Sequence, residues 1–131
     1  MVFGNSIWWV LLAVVVYFGV GALWYSPMLF AKQWAHELGK KMGDMGDART
    51  SMIMTFLAML VLVIIEAYFV NATATTGWWR GFYLGLKLWL GFVATTALVN
   101  NTFQDASKKL FAIDQGYHLI GIALAGAILA H

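Results

Sequence analysis

The stretch MIMTFLAMLVLVIIEAYFV, residues 52–70, decides the fold class of this chain. It is apolar almost throughout, and Glu66 is its single charged residue. An α-helix needs about 20 apolar residues to cross the hydrocarbon core of a bilayer. Three further segments have the same character, at residues 7–25, 77–99 and 110–130. The sequence therefore predicts four transmembrane helices.

The composition of the chain agrees with this prediction. Of its 131 residues, 62% are hydrophobic and 11% are charged, whereas soluble domains have about 45–50% and about 25%. So few charges cannot cover a water-soluble surface, and so apolar a chain is not intrinsically disordered. The absence of cysteine excludes disulfides and thiolate catalysis. The basic residues are scattered, so we expect no nucleic-acid partner.

We expect a single all-α domain over residues 1–131, a polytopic membrane protein whose partner is the lipid bilayer. The four transmembrane helices are predicted at about 6–26, 50–71, 77–100 and 108–130. One short cytoplasmic interfacial amphipathic helix is predicted after helix one, at about 28–42.

The predicted interfacial helix follows Pro27, which ends or kinks helix one. Apolar side chains then recur every four residues at Phe30, Trp34, Leu38 and Met42. A short helix with one apolar face lies in the plane of the membrane interface. We expect Phe30, Trp34 and Leu38 to anchor it there, with docking of a partner as an alternative role.

Basic residues predict the orientation of the chain. The connections at residues 27–50 and 101–109 together carry six Lys or Arg, whereas the opposite side carries Arg80 alone. Cytoplasmic connections are enriched in Lys and Arg. We therefore expect both connections in the cytoplasm, both termini outside, and the inner (plasma) membrane of the cell as the location.

Glu66 and Lys87 fall inside predicted helices two and three. A charge at the bilayer centre costs about 2.5–3.5 kcal/mol on insertion scales, so such residues are candidates for function. Three interpretations stay open from the sequence: a buried ion pair within the helical hairpin, a transport or proton-relay role, and snorkelling without pairing.

Asp114 and His118 lie one turn apart in predicted helix four. A carboxylate at this spacing can orient an imidazole. The alternatives are a His118 bonded to a backbone carbonyl or neighbouring helix, and a proton-linked His118. We expect no metal and no cofactor, because His36 and His131 belong to opposite faces of the membrane.

Small residues recur every four positions at Gly77, Gly81 and Gly85. This spacing lets a second helix approach closely, within one chain or between two chains. Ser107 precedes helix four and is a residue type that caps helix N-termini.

Several longer motifs resemble a small bacterial membrane family known as domain of unknown function 1761. They are GALWYSPMLFAKQW at 21–34, LWLGF at 88–92, the stretch at 100–103, and KLFAIDQGYHLIGIALAGAIL at 109–129. The resemblance implies a four-helix membrane protein and no established activity. Predicted helix two matches only in its apolar character, so the resemblance says nothing about Glu66.

Two functions fit these observations best. The first is a homo-oligomeric transporter- or channel-like protein, with a dimer favoured and with a buried polar site of Glu66, Lys87, Asp114 and His118. The second is a non-catalytic accessory or scaffolding subunit that packs on a larger membrane-protein partner through the glycine face and the interfacial helix. We expect no enzyme. A lipid-modifying or lipid-binding protein is a weaker alternative, which would use His36, Glu37 and Asp44.

Overall fold

The structure of this protein is a computed structural model that describes residues 2–38 and 48–131. Its helices are α1 (Ile7–Trp24), α2 (Ala31–Leu38), α3 (Ala48–Ala72), α4 (Trp78–Leu88), α5 (Thr95–Phe103) and α6 (Lys108–Leu129). A π-helical turn, Trp89–Ala94, joins α4 to α5 without a break.

Within the described residues, four helical spans are long and apolar enough to cross a membrane: Ile7–Trp24, Arg49–Ala72, Trp78–Phe103 and Lys108–Leu129. The chain is therefore an all-α polytopic membrane protein. The third span continues beyond the predicted end at residue 100, because α5 extends to Phe103.

The helix predicted at 28–42 begins at Ala31 in the structure, which describes it as far as Leu38; the predicted residues 39–42 lie outside the described residues. The predicted anchor Leu38 is the last described residue of α2, and the side chain of Leu38 lies outside the described part of the chain, as do Met42 and Asp44. Phe30 and Trp34 contact the protein itself, with ring centroids 4.8 Å from Trp24 and 5.3 Å from Tyr25 respectively. These two predicted membrane anchors therefore also hold α2 against the bundle.

The helix α6 lies at the centre of the bundle and packs against α1, α3 and α4. In its most apolar stretch 61% of the residues are buried, compared with 11% in the third span. The fully buried side chains Val10, Val14 and Tyr17 of α1, Val63 of α3 and Ile122 of α6 form the core. The third span is thus the most peripheral of the four.

The helices α4 and α6 approach each other backbone to backbone at Gly81, Gly85 and Gly126. A methyl group at Gly81 would overlap the carbonyl oxygen of Gly126, and one at Gly85 would lie 2.6 Å from that of Ile122. The glycine face predicted from the sequence is therefore occupied by α6 of the same chain. Gly77 stands apart from this contact, because it precedes α4 with a φ of +97° and donates its N–H to the Ala130 carbonyl at 2.6 Å.

The start of α6 is fixed by Ser107. Its hydroxyl oxygen accepts hydrogen bonds from the backbone N–H groups of Lys109 and Leu110, at 3.1 and 3.2 Å. The predicted cap is confirmed. Asn101 closes the connection from α5 by donating its side-chain N–H to the Ser107 carbonyl at 3.0 Å.

Candidate functional site

The polar groups of α6 are held by tyrosines of the first span and its end. The Tyr17 hydroxyl lies 2.5 Å from Nδ1 of His118, and the Tyr25 hydroxyl donates to Oδ1 of Asp114 at 2.6 Å. The sequence suggested that Asp114 orients His118. The structure corrects this, because each of the two pairs with its own tyrosine.

Tyr117 links the two pairs. Its hydroxyl donates to the Tyr17 carbonyl at 3.2 Å and contacts the Met59 sulfur at 3.7 Å. Its ring meets those of Tyr17 and Tyr25 edge to face, with centroids 5.3 and 5.6 Å apart. Such rings contribute both apolar packing and a polar tip. We call Tyr17, Tyr25 and Tyr117 the tyrosine cluster. Tyr17 brings its hydroxyl to His118 and Tyr25 brings its hydroxyl to Asp114, while the Tyr117 ring packs against both tyrosines.

Tyr25 lies immediately after α1, at the end where α2 begins. Burial, and then its hydrogen bond to Asp114, raise the pKa of the Tyr25 hydroxyl. Tyr25 therefore stays neutral and acts as a hydrogen-bond donor. Trp24 beside it donates its indole N–H to the Ile113 carbonyl at 2.8 Å, which fixes the register of α1 against α6.

The three tyrosines are site residues that were not predicted from the sequence. Tyr17 lies seven residues after Val10 and three after Val14, so all three share the buried face of α1. A tyrosine on a face of valines predicts a polar partner in the core, because a buried hydroxyl needs a hydrogen-bond partner. Tyr25 and Tyr117 lie in the motifs quoted above, but the motifs do not state their partners.

Two neighbouring cavities lie along α3. One has a volume of about 390 Å³ and is lined by Tyr17, Tyr25, Trp34, Met59, Leu62 and His118 among others. The other, here called the Glu66 groove, has a volume of about 400 Å³ and is lined mainly by Leu62, Glu66, Phe69, Leu88, Phe92 and Ile122. Leu62 lines both cavities, so the tyrosine cluster and Glu66 lie on either side of one leucine.

Glu66 is the most unusual residue of the site. It is 3% exposed, and neither of its carboxylate oxygens has a hydrogen-bond partner in the described structure. One of these oxygens packs against Gly126 of α6. It lies 2.9 Å from the position that a Cβ atom would take if Gly126 had a side chain. A buried charge without a partner is costly, so its retention indicates a role.

Lys87 does not approach Glu66 within one chain. It lies exposed on α4, whereas Gly85 on the other side of that helix faces α6. Within residues 2–38 and 48–131, Lys87 forms no ion pair or hydrogen bond. The intramolecular Glu66–Lys87 pair that was one interpretation of the sequence is therefore not formed. The structure brings Asp114 and His118 to one cluster and Glu66 next to it, and it leaves Lys87 outside.

In the described part of the chain, no three His, Asp or Glu side chains lie close enough together to hold a metal ion. The site is a set of protonatable groups within the helical bundle, in which His118 and Asp114 are hydrogen-bonded to tyrosines and Glu66 has no hydrogen-bond partner. What this set can do chemically is accept, hold and pass protons.

Comparison with known proteins gives one match. The model of a family described as "Protein of unknown function (DUF1761)" matches residues 8–130. The chain belongs to the DUF1761 family. The match confirms the resemblance found in the sequence and includes every residue of the site just described. No curated protein and no solved structure matches the chain. The function of this DUF1761 protein is therefore argued from its own geometry.

Proposed function

We propose that this DUF1761 protein is a small homo-oligomeric transporter- or channel-like membrane protein that conducts protons. The observation that carries the proposal is Glu66, a carboxylate buried inside a membrane span with both oxygens unpartnered. Ionisable residues inside membrane spans mark ion pathways and proton relays. Glu66 is the group that gains and loses the proton.

The other groups of the site form a series that leads towards Glu66. Asp114, His118 and Gly126 follow one another along α6, and Glu66 packs at the level of Gly126. Twelve residues separate Asp114 from Gly126, which corresponds to about 18 Å along a helix. That distance is more than half of the hydrocarbon core, which is about 30 Å thick.

The hydrogen bonds suit proton transfer along this series. The bond between Tyr17 and His118 joins a hydroxyl to a ring nitrogen that can be a donor or an acceptor, depending on the tautomer. Tyr17 lines the cavity that shares Leu62 with the Glu66 groove. Tyr17 is thus the residue that connects His118 with Glu66.

An oligomer is part of the proposal because the site is not enclosed by one chain. Both cavities are open grooves on the side of a four-helix unit. A transport path needs walls on all sides, and a second copy of the chain supplies them. The distribution of basic residues predicts the orientation of the proposed path in the membrane. The end with Tyr25 and Asp114 is expected to face the cytoplasm.

Proton flux into proteoliposomes tests this function. We expect vesicles with the wild-type protein to take up protons at least tenfold faster than empty vesicles under a potassium diffusion potential. Glu66→Gln removes the proton-accepting charge and preserves the shape, so we expect its flux to fall to the level of empty vesicles. Glu37→Gln makes the same chemical change on α2 and is the matched control, with wild-type flux expected. Equal fluxes for wild type and Glu66→Gln would contradict the proposal.

An accessory subunit is the second candidate function. In the most apolar stretch of the third span only 11% of the residues are buried, which leaves a surface for a partner. The surface it would use differs from the one expected from the sequence. Gly81 and Gly85 are covered by α6, so a partner would have to pack on the exposed side of α4, at Trp79 and Tyr83. Stable co-purification of a second protein from native membranes would favour this candidate.

A further inference from the structure

The exposed side of α4 presents a positive charge within an apolar stripe. Trp79, Tyr83 and Leu90 are 74%, 56% and 60% exposed. Lys87 lies four residues after Tyr83, which lies four after Trp79, so these three residues share one face of α4. Leu90 follows in the π-helical turn that continues α4. We call this face the α4 outer stripe. A lysine in the middle of a membrane span needs a negative partner or a route to water.

The Glu66 groove presents the complementary pattern. Its walls are apolar, and Glu66 on α3 is its charged residue. Neither Glu66 oxygen is hydrogen-bonded, and Lys87 of the same chain lies outside the groove. One chain thus carries an unpartnered carboxylate at the wall of a groove and an unpaired lysine on a projecting stripe. Both carboxylate oxygens are covered and one packs against Gly126, so the Glu66 side chain has to rotate into the groove to meet a partner.

We propose that a second copy of this chain lays its α4 outer stripe into the Glu66 groove, so that Lys87 of each copy pairs with Glu66 of the other. A two-fold interface brings the same two surfaces together twice, which creates two such pairs. The dimer neutralises all four charges, and it covers the most exposed span. A small cation in the groove would leave Lys87 unpaired, so a second copy explains more of the surface.

The directions of the two side chains agree with this pairing when both copies have the same orientation in the membrane. Glu66 lies at the level of Gly81 and Gly126. Lys87 lies six residues further along α4 than Gly81, which is about 9 Å along the axis. Side chains on a helix lean towards its N-terminus. The level given for Glu66 is that of its carboxylate and already includes the lean of its side chain. The Lys87 side chain leans towards the N-terminus of α4, and therefore back towards that level.

This inference rests on the homo-oligomer of the proposed function, but it does not rest on proton flux. Association of the chains is measured separately from transport. A dimer without flux would therefore contradict the proposed function alone, and flux without this pairing would contradict the inference alone.

Charge exchange between chains is the first test. Glu66→Lys places two lysines in the interface, and Lys87→Glu places two glutamates there, so we expect each variant alone to associate at least tenfold more weakly than wild type in nanodiscs. In a mixture of the two variants, the lysine introduced by the first substitution meets the glutamate introduced by the second. The other contact of that mixed dimer keeps its original Lys87 and Glu66.

We expect the mixture to associate within about threefold of wild type. Single variants that associate like wild type, or a mixture that shows no recovery, would overturn the inference.

Cross-linking is the second test, and it decides the matter if Glu66→Lys does not fold. The chain has no cysteine, so Glu66→Cys and Lys87→Cys can be made in separate chains with different tags. We expect a short bifunctional thiol reagent to join the two tagged chains in mixed membranes. Val15→Cys replaces Lys87→Cys in the control, because Val15 is 61% exposed on α1, away from the stripe. Equal yields for the Lys87 and Val15 positions would overturn the pairing, as would a wild-type monomer with a small molecule in the groove.

Discussion

Tyr17 is the residue on which the hydrogen bonds of the site converge. Its side chain is fully buried, its hydroxyl meets His118, and its carbonyl accepts from Tyr117. Tyr17→Phe removes only the hydroxyl and leaves Nδ1 of His118 without its partner. An unsatisfied buried polar group costs about 1–3 kcal/mol. We expect the free energy of unfolding to fall by about that amount and proton flux to fall at least tenfold.

The control for this substitution is Tyr68→Phe, because Tyr68 is 46% exposed on α3 and does not line the Glu66 groove. Thermal unfolding in detergent and proton uptake by proteoliposomes measure the two effects. Wild-type flux in Tyr17→Phe would show that this hydroxyl has no place in the proton path.

At the scale of single residues, the sequence predicted which polar residues lie in the membrane-spanning helices better than it predicted which residues they contact. It was sufficient to place Glu66 and Lys87 inside the membrane, because hydropathy is a local property. It was insufficient to show that they do not meet within one chain, because that depends on how far α3 and α4 are rotated about their axes. Gly81 and Gly85 face α6, and this turns Lys87 outward. The partners of Asp114 and His118 were missed for a similar reason, since both partners come from the distant first span and its end.

The contact between α4 and α6 determines the arrangement of the helices. Gly81→Ala would add a methyl group that overlaps the Gly126 carbonyl oxygen, and the two backbones would have to separate. Overpacking of this kind costs about 1–3 kcal/mol. We expect a loss of that size in the free energy of unfolding, measured by thermal or denaturant unfolding in detergent micelles.

Gly19→Ala is the matched control for that contact. Gly19 lies in α1, and a methyl group there would meet open space. Alanine is also the better helix former of the two, so we expect a neutral or slightly stabilising effect. If the two substitutions changed stability equally, the close approach of α4 and α6 would not be what stabilises the bundle.

Elements were more predictable than their packing. The four spans and the Ser107 cap follow from patterns within about 20 consecutive residues, and the structure confirms both. The π-helical turn Trp89–Ala94 has no comparable local signal, because Gly91 is the only one of its residues that is not an ordinary helix or strand former, and glycine is frequent in transmembrane helices. The packing of α2 was also missed, since Ala31 and Ala35 are buried only through tertiary contacts.

For the whole molecule, the orientation in the membrane is still a prediction, and it can be measured with cysteines. Thr76 and Gln104 are exposed at opposite ends of the third span. The positive-inside rule places Thr76 outside and Gln104 in the cytoplasm. We expect a membrane-impermeant thiol reagent added to intact cells to label Thr76→Cys and to leave Gln104→Cys unlabelled until the cells are opened. The reverse pattern would mean that the tyrosine cluster faces the outside.

The claim that unites the proposals is that two copies of this chain form the working unit. The most direct test is the native mass of the assembly, released from membrane nanodiscs with its bound molecules retained. The account predicts a mass of two 14.6 kDa chains, without a second kind of protein. A single chain, or an assembly with a different protein, would contradict it, and the buried charges would then need another explanation.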